Sequence, residues 1–155
     1  MAVAKVHLAQ AKHNEEVADL LVEAGSTHDW AITAAYYAAV HYVESWLYDF
    51  MKPKDKKHTE TSVPLRENKE PKHSLHTWRQ KIVENNLTKE TAQSLRKLKV
   101  TSDQARYLFI MRKGPGGEPV WICVTADEYF KPEHARKIVN ECLHLIKQGT
   151  GFKQI

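Results

Sequence analysis

Histidines and cations crowd one part of this chain. Between positions 52 and 81 there are nine Lys and Arg against four Asp and Glu, with His58, His73 and His76 among them. An imidazole can take up or release a proton near neutral pH, and Lys or Arg can hold a phosphate. His73 and His76 also fall near the expected start of a helix, where free backbone N–H groups favour an anion. Lys72, His76 and Arg79 are therefore candidate phosphate contacts, to be weighed against an ordinary solvated helix start. The basic run at 52–57 would bind nucleic acid through backbone charge alone, with affinity that falls as salt rises. Tyr37 and His41 on the preceding helix are further candidates. Tyr36 and Tyr37 must point to different faces, so one belongs to the core and the other can line a groove, while a hydrogen-bonded core role is the simpler reading of His41.

Those side chains have to be positioned by helices. The stretch 27–50 is apolar, aromatic or alanine on nearly every side from Trp30 to Leu47, interrupted only by His41, Glu44 and Ser45. A surface helix has one apolar stripe, so this one belongs in the middle of a bundle. Its tyrosines, His41 and Glu44 are too polar for a membrane span. Before it, Val6, Ala9, His13, Val17, Leu20, Leu21 and Ala24 recur at helical spacing and predict an amphipathic helix over 3–24, ended by Gly25. Ser26 or Thr27 caps the central helix, so the two long helices form an antiparallel hairpin.

The prolines and charges of 52–72 predict a long connecting loop. A third helix over about 74–85 would place Leu75, Trp78, Ile82 and Val83 on one face. A fourth, capped by Thr88, would turn Leu95, Leu98 and Ala92 inward and end near Tyr107. Two β-rich runs flank Gly114-Pro115-Gly116-Gly117, which predicts a β-hairpin within 107–125, with Cys123 as a strand residue. Asp127 or Pro132 starts a last helix with Ala135, Ile138, Val139, Cys142, Leu143 and Ile146 as its apolar face, ended by Gly149. The expected fold is all-α: one domain over 1–155, an up-and-down bundle of about five helices with a long antiparallel first pair and a β-hairpin insertion.

The 155 residues suffice for one core, and 42% hydrophobic with 27% charged residues is the balance of a soluble globular domain. A net charge of +4 favours anionic partners. The N-terminus has no apolar segment with a cleavage site, so a cytoplasmic location is expected. Cys123 and Cys142 have no metal-binding spacing, and neither a metal nor a cofactor is expected.

Three segments carry a family resemblance. Ala34-Ala35-Tyr36-Tyr37-Ala38-Ala39-Val40-His41 resembles the "AYYAAFH" helix of the HEPN family (higher eukaryotes and prokaryotes nucleotide-binding domain), with Val40 in place of Phe. Lys72-His73-Ser74 resembles the Lys/Thr-His segment that opens the family's third helix. Leu95-Arg96-Lys97-Leu98-Lys99, running on to Asp103-Gln104-Ala105-Arg106-Tyr107, is similar to its "L..L…R..ADY" helix end, with Arg106 in place of Asp. The three occur in the family's order across roughly residues 5–148; the hairpin has no place in the common pattern.

The resemblance implies a helical bundle that binds RNA or a nucleotide, commonly as a homodimer. It also admits a non-catalytic partner of a nucleotidyltransferase or a member of a toxin–antitoxin pair. Catalytic family members are metal-independent ribonucleases with an Arg, four to six residues, then a His: the imidazole moves the 2′-hydroxyl proton and the guanidinium holds the phosphate. Only Arg66 and His73 fit that spacing, and six Arg, three spacings and nine His in 155 residues yield about one such match by chance. Binding is the expectation that follows, with a metal-independent endoribonuclease using Arg66 and His73 as the open alternative.

Overall fold

A computed structural model describes residues 3–25, 27–50 and 74–152. The expected loop at 52–72, with Arg66 and Lys72, lies outside the described residues, as do His73 and the expected cap Ser26.

The bundle is all-α with one small antiparallel hairpin inserted. Helix α1 (Val3–Ala24) runs into α2 (His28–Phe50) through Gly25 at φ 74°. That left-handed backbone suits glycine. Thr27 closes the turn by donating its hydroxyl to the Leu21 carbonyl at 3.2 Å. The antiparallel register is fixed where Ser45 donates to the Ala4 carbonyl and where His7 meets His41.

The buried side of α1 differs from the expected one. Ala4, Ala11, Ala18 and Val22 are buried, whereas Val6 and Leu20 are 52% and 66% exposed. The side facing α2 is selected by size rather than by hydrophobicity. Helix α2 is itself rich in buried alanine (Ala31, Ala35, Ala38, Ala39), and alanine opposite alanine lets the two backbones approach closely.

Helix α3 (Leu75–Asn86) starts at Ser74, whose Oγ accepts from the Thr77 N–H at 3.2 Å. Its expected apolar face is only partly buried. Arg79, Gln80 and Val83 are buried, while Leu75, Trp78 and Ile82 are half-buried. The helix is turned so that Gln80 donates to the Ala92 carbonyl of the next helix at 3.0 Å and Arg79 reaches α2. Helix α4 (Lys89–Tyr107), capped by Thr88, buries Ala92, Leu95 and Leu98 as expected, together with Thr91, Ser94, Thr101, Ser102 and Ala105. It ends on Leu108 at φ 50°, the single non-glycine residue with positive φ among those described. Left-handed backbone strains a residue that carries a Cβ by about 1–2 kcal/mol.

Strands β1 (Phe109–Lys113) and β2 (Pro119–Cys123) form the expected hairpin. Of the two expected starts for the last helix, Pro132 is the one used; Asp127 falls instead within a separate short helix. Thr125 and Glu128 make a capping box on a single turn, α5 (Ala126–Tyr129), and Pro132 opens α6 (Pro132–Gly149). Its six expected apolar residues are all buried. Gly149 is not the left-handed cap; Gly151 has that backbone, at φ 81°. Gly149 lies where a Cβ would come within 2.1 Å of Thr91 Oγ1, so the packing of α6 on α4 is what requires glycine there.

No helix among the described residues is long and apolar enough to cross a membrane.

Candidate phosphate site between helices α2, α3 and α4

Where α3 crosses α2, two polar pairs join them. The Tyr36 hydroxyl of α2 lies 2.7 Å from His76 Nδ1 of α3, with ring centroids 5.6 Å apart. One turn along α3, Arg79 Nε donates to Glu44 Oε1 of α2 in a buried ion pair. Arg79 Nη1 also approaches His76 Nδ1, at 3.4 Å. A guanidinium can only donate, so Nδ1 is an acceptor, Tyr36 donates to it, and the His76 proton resides on Nε2.

Helix α4 completes the cluster. Asp103 accepts from Lys99 at 2.8 Å and from Arg106. The Arg106 guanidinium sits 6.0 Å from the Tyr107 ring centroid. Tyr37, 39% exposed, lies beside Tyr36 with ring centroids 5.7 Å apart.

The electrostatics follow from this arrangement. Burial, then the charges of Arg79 and Lys99, push the His76 imidazole below its ordinary 6.5; Asp103 opposes that shift and Arg106 adds to it. Tyr36 is pushed up to about 12, chiefly by burial. Both groups are therefore neutral at pH 7. Around them stand three cations, Arg79, Lys99 and Arg106, and two carboxylates, Glu44 and Asp103. The balance is one positive charge beside an imidazole N–H donor, which suits a phosphate oxygen.

The depressed His76 pKa has a stability consequence. The unfolded chain takes up the proton more readily than the folded one, so this contribution is complete above 6.5 and declines as pH falls from 6.5 toward the lower folded value. Urea unfolding of the wild type and His76→Gln from about pH 8 to about pH 5 should show the wild type losing more stability on acidification. Parallel curves would contradict the assignment.

Of the expected site residues, His76 and Arg79 come together here and Tyr37 flanks them. The guanidinium of Arg79 is already engaged by Glu44, and His76 acts as a neutral donor rather than a cation. His41 is elsewhere: its Nδ1 meets His7 Nδ1 at 2.9 Å on the α1 side, and the His7 ring stacks on Tyr48. Trp46, further along α2, is buried in the core. Sequence reasoning did not assign Tyr36, Glu44, Lys99, Asp103 or Arg106 to the site. Glu44 carried a signal, since a carboxylate inside an apolar helix requires a partner.

A concavity of about 740 Å³ lies elsewhere, between α1 and α6. Glu15, Asp19 and Glu141 line it, with Lys147 already paired to Glu15 at 2.8 Å. Burial and the neighbouring Glu15 and Glu23 push the Asp19 carboxyl above its usual range. An acidic groove repels phosphate, so its size does not make it the anion site. Among the described residues no group of three or more His, Cys, Asp or Glu side chains is arranged to hold a metal ion.

No protein-family model matches the chain, and no curated protein matches it in sequence.

Proposed function

We propose that this chain is a HEPN-like bundle that binds RNA or a nucleotide through phosphate at the α2–α3–α4 cluster, as a homodimer, without cleaving it. The observation that carries the reading is the convergence at one place of parts of the resembling segments. Tyr36 belongs to the first, Lys99, Asp103 and Arg106 to the third, and His76 follows two residues after the second. Lys99 and Arg106 supply charge at the surface, and the His76 N–H and Tyr37 supply a donor and a stacking ring. Arg79 braces His76 while held by Glu44, a positioning role.

Fluorescence anisotropy with a labelled single-stranded RNA and with a labelled nucleotide, across a salt series, tests this. Affinity should fall by roughly 0.7 logarithmic units per phosphate contact for each tenfold rise in salt, and Arg106→Gln should reduce that slope by about one contact's worth. Absence of binding at low salt, or an unchanged slope in Arg106→Gln, overturns the reading. A partner module of a nucleotidyltransferase or toxin–antitoxin system is the second reading. The exposed apolar pair Met111 and Trp121 on the hairpin favours it. An endoribonuclease using Arg66 and His73 would need residues outside those described.

A further inference from the structure

The hairpin has an open edge, and its geometry specifies what can close it. Met111 and Trp121 face each other across the ladder and are 59% and 66% exposed. Lys113 and Cys123 lie on the same side and are also exposed, whereas Ile110 and Ile122 on the opposite side are half-buried. A two-stranded ribbon carrying an outward apolar pair is marginal by itself.

The backbone separates the two edges. Val124 donates to the Leu108 carbonyl at 2.9 Å and Gly114 to the Glu118 carbonyl at 2.8 Å. Antiparallel pairs alternate between bonded and non-bonded, so Ile110/Ile122 and Arg112/Val120 are the bonded pairs between them. The residues in between direct their N–H and C=O groups outward. On β2 these are Pro119, Trp121 and Cys123, and Pro119 has no N–H, so that edge is blunted. On β1 they are Phe109, Met111 and Lys113, with every donor intact and no partner among the described residues.

We infer that β1 pairs antiparallel with β1 of a second copy about a two-fold axis through Met111, making a four-stranded sheet. Between two copies, charge selects this register. With Met111 opposite Met111 of the other copy, Arg112 falls opposite Ile110 and Lys113 opposite Phe109, so no cation faces a cation. Centring on Lys113 would set two lysines against each other, which is destabilising. Centring on Met111 also pairs all three outward residues and brings the two Met111–Trp121 pairs together on one apolar face. An isologous contact of this kind is self-complementary. One strand edge and four exposed side chains form a small interface, so the dimer is reversible.

The inference rests on the two-copy part of the proposed function and not on its RNA part. Sedimentation velocity over a roughly hundredfold dilution should show a wild-type dimer dissociating to monomer. Met111→Pro removes an outward N–H that the hairpin's own ladder does not use. It should leave helical circular dichroism intact and abolish the dimer. Met111→Cys in a Cys123→Ser background should give a disulfide-linked dimer on oxidation, because residues in a bonded antiparallel pair lie about 5.5 Å apart at Cα, within disulfide reach. A wild type that is monomeric throughout overturns both the surface and the two-copy reading. A dimer that survives Met111→Pro, or the absence of a covalent dimer where the wild type dimerises, overturns the surface alone. Loss of RNA affinity in Met111→Pro without a change in mass would make the hairpin a nucleic-acid surface and also overturn the inference.

Discussion

Replacing Glu44 with alanine is expected to lower the unfolding free energy by about 3–5 kcal/mol, the range for removing one partner of a buried ion pair. Glu44 is 3% exposed and Arg79 is 7% exposed, and each is the other's direct charge partner. Helix α3 meets α2 chiefly through long side chains rather than by close backbone approach, so this pair and the Tyr36–His76 bond carry the junction. Alanine at 44 leaves the guanidinium buried without a counter-charge. Arg79→Met should also be destabilising, by stranding the carboxylate. The double variant Glu44→Leu/Arg79→Met removes both charges and should recover most of the loss, because apolar residues of similar volume replace a buried pair at little cost. Urea unfolding followed by helical circular dichroism measures all three. A loss below about 1 kcal/mol in Glu44→Ala would mean that the pair is hydrated and has only surface strength. The outcome bears on the site, since Arg79 released from Glu44 would be free to act as a phosphate cation instead of bracing His76.

How much of this could be read from the sequence depends on the kind of signal. The apolar face of α6 was fully legible, because six residues at helical spacing stand against a polar background and nothing else competes for them. The turn at Gly25, the cap Thr88, and the hairpin around Gly114 and Gly117 were legible for a local reason: each is decided by side chains within a few residues. Helix α1 misled because hydrophobicity and burial separate there. Leu20 and Val6 look like core residues, but the inner side of the helix is taken mostly by small residues, Ala4, Ala11 and Ala18. The same limit applies to Gly149, whose reason lies in Thr91, far back in the chain.

The site was less legible than the fold. Tyr36 and His76 are separated by 40 residues, and Glu44 and Arg79 by 35, so no window of sequence contains either pair. Composition could identify Arg79 as a cation and Glu44 as an odd carboxylate, but not that they meet. Nor could it show that Asp103 divides its charge between Lys99 and Arg106, which decides how much positive charge is left for a ligand. Arg106, where the resembling family has Asp, adds a cation beside Asp103 and makes the cluster more favourable to an anion.

Phe130→Ala is the other large expected effect, about 3–5 kcal/mol for truncating a fully buried phenylalanine. Phe130 is 2% exposed and packs its ring against Tyr129 with centroids 4.6 Å apart. It lies between α5 and α6, where the chain comes back into the core after the hairpin. Its counterpart on the outgoing side is Leu108, half-buried against the same core and held in left-handed backbone. The two residues clamp the base of an insertion whose strands are otherwise mostly exposed. Removing the ring should therefore leave a cavity and loosen α6, not merely free the hairpin. Shortening the turn at 114–117, which lies outside the core, should change stability by less than about 1 kcal/mol. Thermal and urea unfolding of the two variants would separate these cases. If Phe130→Ala loses no more than the shortened turn, the base of the hairpin is not anchored by this ring. Hydrogen exchange should in turn show α6 amides losing protection in Phe130→Ala while the short turn leaves them unchanged.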